Sequence, residues 1–372
     1  MVRVAEEENP DLTIVGPELP LSLGIVDLLQ ERGMRAFGPT REAAQLESSK
    51  GFAKQFMKRN HIPSANYAVC ASSAEFEKAV EFFHPPIVVK ADGLAAGKGV
   101  VICPSRSVAL EAAHGLFNGT LLGDAEKQVI IEEFLEGDEL SFLCLSDGRN
   151  VVPLAPAQDH KRIGEGDTGP NTGGMGVYSS DSMLDPGMTE WILQHIARPT
   201  ILGMAEEGMA FRGVLYCGLM MTARGPEVLE YNARFGDPET QAILMRLETD
   251  LVEVLEACID GRIDQVDLRW SPGASACVVA SSSGYPGSYK TGFPIAGLNT
   301  AAQVPEVQVF HSGTARVGNQ LVTSGGRVLG VTAAGDSMEQ ALSRAYQALA
   351  EIQFDGMYYR RDIGHRALAR KA

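Results

Sequence analysis

No apolar stretch in the 372 residues approaches the roughly 18 needed for a membrane-spanning helix. The acidic start Glu6-Glu7-Glu8 is opposite in charge to the basic start of a signal peptide. Long basic runs are missing as well. With 47 acidic side chains against 32 basic ones, the net charge of -15 repels nucleic acid and anionic lipid. The six cysteines, Cys70, Cys103, Cys144, Cys217, Cys258 and Cys277, form no C-x-x-C pair and lie mostly in apolar segments. They read as buried thiols of a reducing compartment, neither zinc ligands nor a disulfide framework. No G-x-S-x-G nucleophile elbow occurs, and His61, His84, His114, His195, His311 and His365 have no partner at metal-ligand spacing. The expectation is a cytoplasmic protein with neither nucleic-acid nor membrane partners.

What is present is a folding composition: 45% hydrophobic and 21% charged residues, in a chain long enough for two or three domains. The pattern predicts a strand at Asp11 to Val15, a helix from Leu21 to Arg32 and a second strand at Met34 to Phe37. Ser48-Ser49 break a helical stretch over 41–60 just before Lys50. Strands and helices alternate from Tyr67 to Phe134, with a helix capped by Ser72 and carrying Glu75 three residues on. A long glycine-rich loop is expected from Asp159 to Gly176, then a helix at about 188–207. A hairpin turning at Arg224-Gly225 follows. Beyond Arg262, short strands and Gly/Ser/Pro turns end in a helix over 338–352. Residues 1–47, 48–260 (with a small subdomain at about 66–135) and 261–372 are the expected domains.

Several stretches could carry chemistry. In Glu230-Tyr231-Asn232-Ala233-Arg234-Phe235-Gly236-Asp237, strand alternation puts Glu230, Asn232 and Arg234 on one face. A carboxylate and an amide oxygen two residues apart suit Mg²⁺ sharing its shell with phosphates, and Arg234 offers a planar fork. A solvated strand end closed by a Gly-Asp-Pro turn gives the same pattern. Lys90-Ala91-Asp92-Gly93-Leu94-Ala95-Ala96-Gly97-Lys98-Gly99 joins two strands through a loop able to cover phosphates, or through an ordinary hairpin. It is not a Walker A loop, since Gly93 and Gly97 are too close and Gly99 stands where a hydroxyl is required. Gly164-Glu165-Gly166-Asp167-Thr168-Gly169 matches G-x-G-x-x-G in letters only, because no helix follows it. The mixture of Asp159, His160, Lys161 and Arg162 with Asn171 to Gly176 favours ligand contact. Glu132-Glu133-Phe134 closes a strand with carboxylates that could accept from a nucleotide or face solvent.

Together these stretches closely resemble the phosphoribosylamine-glycine ligase (glycinamide ribonucleotide synthetase) family of the ATP-grasp superfamily, from Asp11 to about His365. The resemblance implies an α/β and α+β chain: an ATP-grasp fold, a Rossmann-like N-terminal part and a small C-terminal α+β domain. It implies ATP bound by Lys50, Lys90, Gly93, Gly97, Lys98 and Gly99, with Glu132, Glu133, Phe134 and Glu139 on the adenine and ribose side. Glu230 and Asn232 match the metal ligands, for Mg²⁺ or Mn²⁺. Asp159, His160, Asn171, Thr172, Gly173, Gly174 and Asp237 match the substrate side, with Lys161 and Arg234 as catalytic residues. The implied reaction joins glycine to phosphoribosylamine through a glycyl phosphate, in a monomer. Rivals are another ATP-grasp ligase or carboxylase, and a catalytically silent ATP-binding homologue. Family members begin with a strand and a Gly-Gly-Arg-Glu-His loop that has no counterpart here, so a shortened N-terminal part is expected.

Overall fold

A computed structural model of the chain describes residues 1–94 and 99–369. Contacts divide the chain into two units interleaved along the sequence. One comprises Met1–Leu154, Pro186–Phe235 and Leu251–Asp267, and the other Ala155–Asp185, Gly236–Asp250 and Leu268–Ala372. The contacts group two earlier segments, Ala155–Asp185 and Gly236–Asp250, with the C-terminal strands.

In the first unit, a short parallel pair, Thr13–Ile14 with Ala36–Phe37, packs beside Leu21, Val26 and Leu29. The expected helix over 21–32 is instead two, Glu18–Ser22 and Ile25–Gln30, because Gly24 between them is left-handed at φ 81. A helix at Val2–Glu8, which the apolar periodicity does not signal, precedes them. Four antiparallel strands follow in the order Tyr67–Cys70, Val129–Glu133, Ile87–Ala91, Val100–Cys103. Helices Ser73–Ala79 and Arg106–Phe117 supply Phe76, Ala109 and Leu116 to a core with Ile87, Val89 and Ile131. Ser72 and Ser105 accept from the N–H groups of Glu75 and Val108, caps that contribute about 1 kcal/mol each.

Three long antiparallel strands, Asp138–Asp147, Arg212–Thr222 and Gly225–Asn232, complete this unit's framework, and the expected hairpin turns between Thr222 and Gly225. Its register sets Glu230 opposite Gly218 and Asn232 opposite Tyr216. Between Pro186 and Glu206 the expected helix forms with one wide turn, Leu193–Ala197, just before Pro199. Proline has no N–H to continue the ladder, which accounts for the local widening.

The second unit is an antiparallel sheet in the order Ala157–Asp159, Gly176–Ser180, Ala274–Ser282, Arg327–Gly335, Val307–His311. Helix Met338–Glu351 lays Ala341, Leu342, Ala345 and Leu349 into a core with Val278 and Val331. The long glycine-rich loop expected over 159–176 contains a hairpin, Arg162–Gly164 paired with Thr168–Asn171. Among the described residues no helix is long and apolar enough to cross a membrane.

Candidate nucleotide and substrate sites

Lys50 opens helix Lys50–Arg59, whose N-cap Ser49 accepts from the N–H of Phe52. The residues after strand Ile87–Ala91 fasten to this helix start. Asp92 Oδ1 accepts from the Gly51 N–H at 2.7 Å and the Ser49 hydroxyl at 3.1 Å, and Asp92 O accepts from the Lys50 N–H at 3.1 Å. Lys50 Nζ donates to Gly93 O at 3.2 Å. The Ala91 N–H donates to Gly99 O at 2.8 Å, closing the base of the loop. Gly97 and Lys98 lie outside the described residues.

One strand away is a buried ionic centre. Glu132, 2% exposed, meets Lys90 Nζ through both carboxylate oxygens at 3.0 and 3.1 Å and Lys54 Nζ at 2.9 Å. Lys90 also donates to Leu229 O at 3.1 Å. Lys54 was not singled out in the sequence. Its signal is a lysine among Ala53, Phe56 and Met57 on the buried stripe of the helix. Burial pushes its ammonium pKa down, against the pull of Glu132. Glu133 has other partners: burial raises its pKa, but hydrogen bonds from Asn66 and the Arg224 pair hold it low overall. Phe134 and Glu139 are half-buried, Glu139 on the strand Asp138–Asp147.

Glu230 and Asn232 end strand Gly225–Asn232, half-buried and two residues apart, so their oxygens share a face. Among the described residues no group of three His, Cys, Asp or Glu could hold a metal alone. Two hard oxygen donors thus fit a divalent ion that takes its remaining ligands from phosphate and water. Next to them, Arg234 is already oriented: Nε donates to Glu18 at 3.2 Å, Nη1 to Phe235 O at 3.2 Å, and Nη2 pairs with Glu47 at 3.0 Å. Glu47, a second residue the sequence reading missed, also accepts from the Ala233 N–H at 2.7 Å. Burial raises its pKa and Arg234 opposes that rise.

In the second unit, Lys161 O accepts from both the N–H and the hydroxyl of Thr172, at 2.7 and 2.8 Å, which draws the two ends of the hairpin together. Exposed Asn171 pairs with Arg162. Gly174, buried at φ 110, would bring any Cβ within 2.8 Å of Asp159 Oδ1. Half-buried Asp159 accepts from the His160 N–H at 2.7 Å, and desolvation followed by Glu239 pushes its carboxyl up. Arg327, also missed, donates to Gly173 O, to Asp237 O at 2.9 Å and to Asp237 Oδ2 at 2.8 Å. The Gly173 N–H donates to the Tyr285 hydroxyl at 3.0 Å. Arg327 lies in the stretch Gly325-Gly326-Arg327-Val328, among the Gly/Ser/Pro turns beyond Arg262.

His160 sits inside this unit. At 3% exposure its Nδ1 lies 3.2 Å from Gly176 O while Nε2 accepts from the Gly364 N–H at 3.2 Å. Burial, then the Arg360 charge, pushes its pKa down to about 4, so the ring is neutral at pH 7. Fully buried Arg360 donates to Asp362, to Asp167 at 2.9 Å and to Arg162 O at 3.0 Å, and Arg366 pairs with Asp167 at 2.6 Å. The C-terminal segment thereby grips the hairpin.

Comparison with known proteins gives three matching family descriptions in chain order. They are phosphoribosylglycinamide synthetase N domain over 1–47, ATP-grasp (A) domain over 48–240 and C domain over 275–366. A Vibrio vulnificus (strain YJ016) protein named phosphoribosylamine–glycine ligase is 49% identical over 375 residues, aligning 100% of this chain with 86% of that protein. Its namesake from Pseudomonas aeruginosa is 49% identical over 368 residues, 98% of this chain and 85% of that one. The crystal structure of a Thermotoga maritima phosphoribosylamine–glycine ligase superposes with TM-score 0.84 at 38% identity, covering 95% of this chain and 86% of that one. The biotin carboxylase domain of Hydrogenobacter thermophilus 2-oxoglutarate carboxylase shares the fold alone, with TM-score 0.72 at 18% identity, over 96% of this chain and 78% of that one.

Proposed function

The chain belongs to the phosphoribosylglycinamide synthetase family, and from that membership we propose how its residues divide an ATP-dependent ligation of glycine to 5-phosphoribosylamine. It is a carbon–nitrogen ligase of purine biosynthesis with an ATP-grasp fold, and it uses ATP with a divalent metal. The observation that carries the residue assignments is the pair of lysines, Lys54 and Lys90, gathered on Glu132 one strand from Lys50.

A carboxylate is a poor electrophile, so the glycine carboxylate first attacks the γ-phosphorus of ATP. A carbonyl-side O–P bond forms as the bridging P–O bond to ADP breaks. The amine of phosphoribosylamine then attacks the acyl carbon. A C–N bond forms, phosphate leaves with the C–O electron pair, and the nitrogen gives up one proton. No side chain has to act as nucleophile, and positioning with charge neutralisation carries the rate.

Lys50 and Lys90 take the phosphates, with Gly93, Gly97, Lys98 and Gly99 as the covering loop, and Glu132 to Glu139 line the adenine and ribose. Glu230 and Asn232 would hold Mg²⁺, or Mn²⁺ in its place, which supplies charge neutralisation at the transferring phosphoryl group. Asp159, His160, Asn171, Thr172, Gly173, Gly174 and Asp237 belong to the substrate side. There His160 is a shaping residue, since its ring nitrogens are both engaged. Lys161 supplies charge, and Arg234 supplies a fork that any ligand must share with Glu18 and Glu47. A monomer in the cytoplasm completes the reading.

The deciding experiment follows phosphate release by purified protein with Mg²⁺ and ATP. Release is expected only when glycine and phosphoribosylamine are both present, one phosphate per amide formed. Turnover that ignores glycine, or that responds to bicarbonate instead, would reject the assignment.

A further inference from the structure

We propose that Lys54 is a positioning residue of the nucleotide site. It holds the charge of Glu132 so that Lys90 is released to the ATP phosphates. The inference rests on the reading of Lys90 as a phosphate ligand.

The geometry poses a problem that Lys54 solves. Lys90 and Glu132 are 7% and 2% exposed, with the ammonium in contact with both carboxylate oxygens. For Lys90 to move to a phosphate, Glu132 must give it up. A buried carboxylate left without a counter-charge is strongly unfavourable, so a simple pair would resist that exchange. Lys54 Nζ lies 2.9 Å from Glu132 Oε2 at 2% exposure, a second counter-ion already in place. Two ammonium groups share one carboxylate. One ammonium of the pair is therefore available to an incoming anion. Lys54 is too enclosed to reach that anion itself, and its helix carries Lys50 one turn earlier. It acts through Glu132.

The test measures ATP dissociation constants by calorimetry, and Michaelis constants for ATP and glycine, in the full chain. Lys54→Met is expected to weaken ATP binding about 10- to 100-fold, the effect of losing one charge-assisted contact. The Michaelis constant for glycine should be unchanged, which a general loss of structure would not leave intact. In a Glu132→Gln background the same Lys54→Met change should have little effect, because a neutral amide no longer retains Lys90. If Lys54→Met alone does not fold, a loss of ATP affinity on adding it to Glu132→Gln overturns the proposal and an unchanged affinity supports it. Unchanged ATP affinity in Lys54→Met, or an equal loss in both backgrounds, overturns the proposal. Lys90→Met separates it from its premise. If Lys90→Met binds ATP poorly while Lys54→Met binds it normally, only the role of Lys54 falls. If Lys90→Met binds ATP normally, the phosphate reading falls and takes this one with it.

Discussion

Asp92 accepts a 2.7 Å hydrogen bond from the backbone N–H of Gly51, binding the segment after strand Ile87–Ala91 to the first turn of the helix that carries Lys50. The carboxylate sits at a helix N-terminus, where unpaired N–H groups and the helix dipole both favour negative charge. The two lysines read as phosphate ligands, on different elements, are thus fixed to each other through Asp92. Asp92→Ala should lower stability by about 1.5–3 kcal/mol in urea titration and raise the Michaelis constant for ATP. A variant with normal stability and normal ATP use would show that the contact matters little.

Glu230→Gln and Asn232→Ala address the metal. Both side chains are half-buried at a strand end rather than packed in the core. We expect turnover to fall about 100-fold or more in each, the scale of several kcal/mol of phosphoryl charge stabilisation, with little change in melting temperature. A Mg²⁺ titration of rate should shift to higher concentration. Unaltered Mg²⁺ dependence in both variants would remove these residues from the metal site.

Arg327 links Gly173 to Asp237 within the second unit. Arg327→Ala should raise the Michaelis constant for glycine or phosphoribosylamine while leaving that for ATP within about two-fold, because the residues proposed to bind ATP lie on other elements. A rise confined to ATP would contradict the assignment of 159–176 and Asp237 to the substrate side.

His160 gives the fold an acid-sensitive element. Its folded pKa of about 4 lies below the ordinary histidine value of 6.5. Between these values the unfolded chain binds the proton and the folded chain does not, so stability falls as pH drops from about 6.5 to about 4. The contribution reaches about 3 kcal/mol at most, and below pH 4 it changes no further. Burial raises the Asp362 pKa, but its hydrogen bonds to Arg360 and Gly166 bring it to about 2, so its own loss lies lower, below the usual aspartate range. Urea midpoints from pH 4 to 7 should flatten in His160→Gln. An unchanged slope would mean that other groups carry the acid response.

All six cysteines are buried, and burial raises the thiol pKa at every one, to about 11 at Cys70 and Cys103. Thiolates are the reactive form, so the native protein should react negligibly with a thiol reagent and release six equivalents once denatured. Rapid labelling of the native state would place a cysteine at the surface.

Local signals were legible. Ser72 and Ser49 announce helix starts by bonds that span three residues, and the amphipathic stripe of Met338–Glu351 is complete within its own segment. Glu230 and Asn232 could be placed on one face because strand alternation is also local. The hairpin over 162–171 was not legible. Its strands are three and four residues of mixed Gly, Thr and Pro without apolar alternation, and Arg360 grips it from 193 residues beyond Asp167. Lys54 and Glu47 were hidden for the opposite reason. A charged residue in a helix ordinarily marks the solvent face, and here each is buried because its counter-ion comes from another element.

The Arg360 clamp has a consequence for how the protein comes to be active. During synthesis the hairpin over 162–171 leaves the ribosome long before Arg360, Asp362 and Arg366 exist to hold it. Such widely separated contacts form late, since a long stretch of chain must first be ordered. The nascent polypeptide can fold its four-stranded lobe early, because among the described residues that lobe's core lies between Ala68 and Ile131. The turn that bears the residues proposed for the substrate stays unsecured until Arg360 and Arg366 have been made.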